Sequence, residues 1–469
     1  MTTPPSNRGA SAAFSERHAP TQAAAGLPKR LETLSFALLL AALVTSPLGS
    51  NVSVPGHPSV FAFRILFVLF VLAEIARLAV SSASRPRITL REPLTLWSGL
   101  AAWAALSIAW SASKGEAVRY VVFLAQSTVL MYAIASHGRD RRKLLMMLGA
   151  YGVSFVVVVG GALFERADTY RFPVSMFRDP QLDAQFRFLF TSVFHNPNDL
   201  ATFISFWFPL LLVAYLEGTR IWARVVALGL CGLSAFLVVI DLSRANTVSM
   251  ALATVVVLVV TLRRRPAAWA IALGLVIVGF LMLPARPKYL ALQAVHFLTS
   301  DVESGSAARD TRARLARESL ELLSRSHGLG VGAGNAETMI RELRADRQQS
   351  QEDKILRMHN WWMEVLVNLG VAGFALYLVF YGWLLVGLAK TRRLFLPGDW
   401  PLAAFSLSVL ASLVGFVIGC LSSSSLLTFN PLWVQFGFAA ALVRLQSSAA
   451  VAAEPEAPRP SEPSSTGRR

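Results

Sequence analysis

The sequence predicts an all-α, polytopic membrane protein of about twelve transmembrane helices, and three observations predict it. Hydrophobic residues make up 54% of the 469 positions and charged residues only 15%, where a soluble chain of this size carries about a quarter. Apolar runs of about twenty residues, long enough to cross a bilayer core as a helix, recur along most of the chain. Basic residues gather in alternate short loops between those runs, the distribution that orients membrane proteins.

Residues 1–30, rich in Ala, Ser, Pro and Thr, read as a disordered cytoplasmic tail ending at Lys29-Arg30. No small-residue cleavage site follows the first apolar run, so the segment does not read as a removed signal. Nine spans are expected between 31 and 284, at 31–49, 59–80, 93–110, 117–136, 144–164, 198–216, 222–241, 245–262 and 267–284. Residues 285–360 form a large external loop, too long for a plain connector. Three more spans, at 361–389, 400–420 and 426–445, occupy 361–445, and 446–469 is a second polar tail. Arg85, Arg87 and Arg91 follow the second span, and Arg139, Arg141, Arg142 and Lys143 the fourth. Arg263, Arg264 and Arg265 follow the eighth, and Lys390, Arg392 and Arg393 the tenth. The intervening turns NVSVPGHPS, SASKGE and SSSSLLTFN carry no net charge. Both termini are therefore expected in the cytoplasm, with 165–197 and 285–360 outside.

The formal charge of +16, from 44 Lys and Arg against 28 Asp and Glu, follows from those loops, so no nucleic-acid partner is expected. Cys231 and Cys420 both lie in apolar runs, which argues against a disulfide framework or a thiolate metal site.

Chemistry-bearing residues collect on the expected outer face. In ARDTRARLARESLELLSRSHGLGVGAGN, Leu315, Ser319, Leu320, Leu322 and Leu323 fall roughly on one helical stripe, with Arg and Glu mostly around the others. This is the pattern of an amphipathic helix at a membrane surface, with Gly328 and Gly330 as stop signals and Asn335 as a cap for the next helix. The glycine run lacks the GK[ST] of a phosphate loop, so tight chain reversal explains it better. Arg309, Arg312, Arg314 and Arg317 mostly suit a solvated face or headgroup contact, while one guanidinium at the interface would suit a diphosphate, which its fork pairs bidentately. His359, one of seven histidines, is either an interfacial cap or a general base that titrates near neutrality. Asn360 reads as the N-cap of a helix starting at Trp361, with Trp361 and Trp362 at headgroup depth. FHNPNDLATF opens the sixth span, with Asn198 or Asp199 capping it. DLSRANT joins spans seven and eight, where Arg244 pairs with Asp241 or meets a phosphate.

Taken in order, FHNPNDLA, LSRANT, TRARLARESLELLSRSHGLGVGAGN and HNWWMEVLVNLGVAG resemble the O-antigen ligase and polymerase superfamily that shares the Wzy-C domain. The double Trp and VNLG are most like its teichuronic-acid and exopolysaccharide polymerase branch. The resemblance covers residues 190–390 through motifs and the whole chain through topology. It implies a GT-C-like fold in a bacterial cytoplasmic membrane and a glycosyltransferase of cell-wall or exopolysaccharide biogenesis. Such an enzyme transfers glycan from an undecaprenyl-diphosphate carrier to an acceptor sugar hydroxyl, as ligase or polymerase. No metal or other cofactor is implied, and polysaccharide-assembly proteins are partners it admits. Carried over position by position, the resemblance gives Arg312 and His359 as catalytic residues, with Arg309 or Arg314 as alternative registers because Ala316 stands where the family often has Trp. It gives Arg244 as a second diphosphate-binding arginine. Asn198 and Asn360 are candidates for orienting the loop or the sugar. The alternative is a lipid-linked-oligosaccharide flippase or another twelve-span transporter; little internal repetition and few embedded charges, chiefly Arg64 and Glu74, weigh against it.

Overall fold

The computed structural model describes residues 22–80, 93–168, 170–179, 183, 189–262, 303–347, 360–395, 399–423 and 427–453. Most of these residues are helical, and seven of the helices are long and apolar enough to cross a membrane. The protein is membrane-embedded.

The bundle begins with α1 (Gln22–Thr45), α2 (Ala62–Val80), α3 (Pro93–Leu106), α4 (Lys114–His137) and α5 (Arg141–Asp168). It continues with α6 (Pro197–Glu217), α7 (Ile221–Ile240) and α8 (Arg244–Leu262). Two polar helices follow, α9 (Glu303–Arg325) and α10 (Ala336–Asp346). The last three are α11 (Trp361–Phe395), α12 (Trp400–Gly419) and α13 (Asn430–Ala453). Helices thus stand at eleven of the twelve expected span positions. The ninth, 267–284, lies outside the described residues, as do the loop start 285–302, His359 and the outermost parts of both tails.

Lipid-facing and protein-facing sides separate as a bilayer solvent requires. The α7 flank exposes Ile221, Trp222, Val225, Val226 and Phe236, while serines and large aromatics point inward. Trp97, Tyr377, Phe380, Trp433 and Phe436 interlock where α3, α11 and α13 meet. α12 runs through the middle, packed on α6, α8, α11 and α13. Its Gly415 lies so close to α8 that a Cβ there would fall 2.6 Å from the Ser249 carbonyl oxygen, the small-residue crossing typical of membrane helices.

Acid–base pairs mark one end of the bundle: Glu74–Arg77 at 2.5 Å, Glu217–Arg392 at 3.0 Å, Glu32–Lys143 and Arg141–Asp399. Glu74, expected as an embedded charge, is bound there by Arg77 and by the Ser35 hydroxyl at 2.6 Å. At the opposite end, called the upper end below, α6, α8 and α13 begin and α12 finishes. The chain before α2 is not helical from residue 59, as the hydropathy reading had it. Ser53–Val54 and His57–Phe61 pair as a short antiparallel hairpin, turned at Pro55-Gly56 with Gly56 at φ +77°. Pro followed by a positive-φ Gly is the signature of a type II turn.

The tenth span is not one helix. α11 breaks at Gly370 (φ 68°, ψ −172°). In an unbroken helix Trp362 and Tyr381 would be about 28 Å apart along the axis at 1.5 Å per residue; their rings are 5.7 Å apart. The short limb 361–369 therefore folds back along the long limb 371–395, which at about 37 Å suffices to cross a hydrocarbon core of about 30 Å. This corrects the position of Trp361 and Trp362. Instead of forming a lipid-facing belt, Trp361 is buried against Tyr377 and Trp433, and Trp362 donates its indole N–H to the Val417 carbonyl of α12 at 3.0 Å.

Candidate functional site

The break at Gly370 and the glycine run after α9 are made for each other. The Val371 amide donates to the Gly328 carbonyl and the Val331 amide to the Val367 carbonyl, both at 2.9 Å. The backbone groups freed by the break are thereby satisfied, as a membrane interior demands. A Cβ on Gly330 would fall 2.4 Å from the Gly370 nitrogen, and one on Gly370 would fall 2.3 Å from the Leu329 carbonyl carbon. Both positions have positive φ, so only glycine fits. Indoles seal the junction: Trp103 donates to the Leu369 carbonyl at 2.8 Å and Trp110 to the Gly330 carbonyl at 3.2 Å. The glycines turn the chain, as expected, and also splice two elements.

Asn335 does not cap α10 with its side chain. Its amide oxygen accepts from the Ser113 amide at 2.6 Å, and its nitrogen donates to the Ser113 and Ala333 carbonyls, clamping the run to the start of α4. The next free helix-start donor, the Ala336 amide, goes to Asn368 Oδ1 at 3.0 Å. α9 and α10 are joined by a buried bidentate pair, Arg344 to Glu318 at 3.0 and 2.8 Å. Leu315 and Leu322 bury with Ile340, Leu343, Val367 and Met363. Leu320 departs from the expected stripe and is 51% exposed. Because Leu315 and Met363 share this small core, the middle of α9 and the first turn of α11 lie together. Arg309 and Arg312 sit in that part of α9, with side chains outside the described residues; Arg314 is half-buried and Arg317 exposed.

The other outer motifs converge on the turn after α12. The Trp361 amide donates to the Cys420 carbonyl at 3.2 Å, and Asn360 caps α11 as expected, its Oδ1 accepting from the Met363 amide at 3.3 Å. Two residues on, Ser422 accepts from Asn246 Nδ2 at 2.9 Å. The same fully buried amide donates to the Asn198 carbonyl at 3.3 Å, Thr202 Oγ1 at 3.1 Å and Ser243 Oγ at 3.0 Å, while the Thr202 and Ser423 hydroxyls share a 2.8 Å bond. Asn198, the Ser243-Arg244 turn and Asn360 are therefore brought to one polar floor. Arg244, half-buried, starts α8 at its edge. Asp241 is not turned toward Arg244: its Oδ1 accepts the Phe190 amide at 2.9 Å. The cap of α6 is Asn196, which accepts from the Asp199 amide at 3.0 Å; Pro197 at the first helical position shifts the cap one residue before it.

Beside this floor two clefts open. One, of about 360 Å³, lies between α4, α10 and the short limb of α11 and includes Arg119, Tyr120, Arg341, Glu364 and Asn368. The other, of about 330 Å³, runs toward the α1–α2 hairpin and includes Arg64, Phe61, His195 and Asp199. Arg119, Phe123 and Thr428 line both. Sequence reasoning missed Arg119 and Asn246. Asn246 had one signal, a polar residue within the first turn of an apolar span; Arg119, exposed on α4 beside Glu116, had none.

Residues 229–378, from α7 to the upper part of α11, match the O-Antigen ligase family. The chain is also 26% identical over 356 residues, 72% of its length and 69% of the relative's, to the Teichuronic acid biosynthesis protein TuaE of Bacillus subtilis (strain 168). The matched segment holds Arg244, the α9 arginines, the glycine run, Asn360 and Gly370, and the resemblance that the motif order carried is the one both comparisons find: to the O-antigen ligase superfamily, on its teichuronic-acid side.

Proposed function

We propose that this chain is an inverting membrane glycosyltransferase that transfers or polymerises glycan from an undecaprenyl-diphosphate carrier onto an acceptor sugar hydroxyl. Support from the comparisons extends to a role in cell-surface polysaccharide biosynthesis; carrier, acceptor and residue roles are our reading. The observation that carries it is the convergence of Asn198 and the Ser243-Arg244 turn on Asn246 and Ser422, two residues from the Cys420 carbonyl that accepts the amide next to Asn360, with α9 packed beside the start of α11.

In this reading the upper end faces outward across a twelve-span bundle, and both termini lie in the cytoplasm. The acceptor oxygen attacks the anomeric carbon as the bond to the diphosphate breaks, and the bonding pair leaves on the diphosphate. His359, one residue before Asn360, takes the acceptor proton, which raises the nucleophilicity of a poor attacking group. Arg312 and Arg244 hold the developing negative charge, with Arg309 and Arg314 as the neighbouring diphosphate contacts. Arg312 stands 3, 7 and 10 positions before Leu315, Ser319 and Leu322, spacings that share one stripe of a helix. Residues of the chain supply all of these roles, and no metal is invoked. The polyprenyl tail stays in the bilayer while the diphosphate reaches headgroup depth.

The test is replacement of His359, Arg312 and Arg244 by Ala, one at a time, in the cell that makes the polymer. Each loses the long product, with transfer reduced about 100-fold or more, the usual cost of removing a general base or a charge-stabilising donor. Unchanged long polymer in the His359 and Arg312 variants refutes the reading. A lipid-carrier flippase is the second reading, favoured by the broken helix α11, since transporters build sites at discontinuous helices. It requires movement of a lipid-linked sugar in proteoliposomes without any new glycosidic bond.

A further inference from the structure

We propose that the two upper clefts form one continuous groove for the acceptor, and that it holds a hydroxyl-rich glycan of several sugar units rather than a single terminal sugar. This rests on the transferase reading above and names the substrate class of the same site.

Continuity is the first observation. Arg119, Phe123 and Thr428 belong to both clefts, so the two adjoin along that wall. Each cleft alone, at about 360 and 330 Å³, is in the range that encloses a drug-sized molecule. Joined end to end, they exceed what one sugar ring fills.

Placement is the second. The first cleft reaches Glu364 on the short limb of α11, one helical turn beyond Asn360, to whose carbonyl the Glu364 amide donates at 3.0 Å. The second reaches Asp199, next to Asn198. The groove therefore passes alongside the polar floor, and an occupant of both clefts would lie across the reacting end.

Chemistry is the third. Among the described residues the lining mixes Arg64, Arg119 and Arg341 with Glu116, Glu337, Glu364 and Asp199. A polyanionic chain would meet more carboxylates than guanidiniums. A chain of hydroxyls both donates and accepts, and suits both signs. Phe123 at the junction offers an apolar ring whose electron-rich face attracts C–H groups. Arg119 is exposed, and its contact with Glu116 is 3.9 Å long; such a pair holds its side chains weakly, which leaves the guanidinium able to turn toward an occupant.

The groove draws on both parts of the chain: Arg341 and Glu364 lie inside the segment 229–378 that matches the family, while Arg119, Phe123 and Thr428 at the junction lie outside it.

The experiment uses the full-length chain in lipid nanodiscs, with lipid-linked repeat units from the producing cell as donor. Acceptors of one and of four repeat units, cut from the same polymer, are compared by kcat/KM. The wild type favours the four-unit acceptor at least ten-fold. Phe123→Ala, and separately Thr428→Trp, which fills the exposed junction, bring that preference within two-fold; equal melting temperatures confirm that both variants are folded. A wild type without length preference, or variants that keep it, overturns the groove. A wild type that transfers to neither acceptor overturns the transferase reading on which the groove rests.

Discussion

Gly370→Ala is the most informative single change in this protein. The backbone there has φ 68° and ψ −172°, a region that is essentially glycine's own and costs another residue about 1–3 kcal/mol. The new Cβ would also sit 2.3 Å from the backbone of Leu329 and 2.4 Å from the Gly328 carbonyl oxygen, contacts that no rotamer change can relieve. Relief requires the glycine run to back away, which breaks the Val371–Gly328 and Val331–Val367 hydrogen bonds, each worth about 0.5–1.5 kcal/mol net. The sum is a loss of about 2–6 kcal/mol, concentrated where α9, α10 and the short limb of α11 join. Gly382→Ala is the control: it lies in the same helix, and a Cβ there meets nothing within 4 Å, so helix propensity alone favours alanine by about 1 kcal/mol. The assay is thermal unfolding in detergent together with hydrogen exchange of residues 328–347. Gly370→Ala should melt well below wild type and exchange rapidly there, while Gly382→Ala melts at or above wild type. If the two variants melt alike, the splice between the glycine run and the broken helix is not what holds the upper end together.

Further expectations follow from other contacts. Glu318→Ala leaves Arg344 buried without its carboxylate, costing about 3–5 kcal/mol; limited proteolysis should then cut near α10, and adding Arg344→Met should restore most of the resistance, whereas equal sensitivity of single and double variants would contradict the pairing. Asn246→Leu strands the Ser243, Thr202 and Ser422 hydroxyls and should lower transfer at least ten-fold with a smaller loss of melting temperature than Gly370→Ala, read in the same two assays; full transfer would remove the polar floor from the site. Hydrogen bonding to Arg347 holds the Glu321 carboxyl below its ordinary range. Its folded pKa is depressed, so its contribution to pinning α10 is present above the unfolded value of about 4.3 and lost as pH falls through the lower folded value. Hydrogen exchange of α10 should rise on acidification below about pH 4, and Glu321→Gln should flatten that dependence; an unchanged profile in the variant would place the titration elsewhere.

Hydropathy made the membrane helices legible because a bilayer rewards one property, apolar length, and nothing in α4–α8 or α12 contradicts it. The same property hid the fold-back of α11. Its two limbs are continuous in hydropathy, and a lone glycine in an apolar run signals a break only when its partner, the run at Gly328–Gly334, is seen beside it. Motif order brought out Asn198, Arg244 and Asn360, whose neighbours are tied to one another through the turn after α12. The residue that ties them, Asn246, lies three steps from Ser243 in sequence but reaches Ser422 across the bundle, a contact that no local pattern encodes. Of the two partners weighed for Arg244, a phosphate and Asp241, the carboxylate is drawn away for a similar reason: it accepts a buried backbone amide, that of Phe190.

The position of α12 has a consequence for how catalysis is organised. This helix is buried almost throughout, and its Ser408 and Ser412 spend their hydroxyls on carbonyls of their own helix. The turn that follows it, Cys420 to Ser423, is the foundation on which Asn360 and Asn246 rest. A foundation anchored to the most deeply buried of the described membrane helices is set before any reactant arrives, so in the proposed reaction binding energy is not consumed in assembling it.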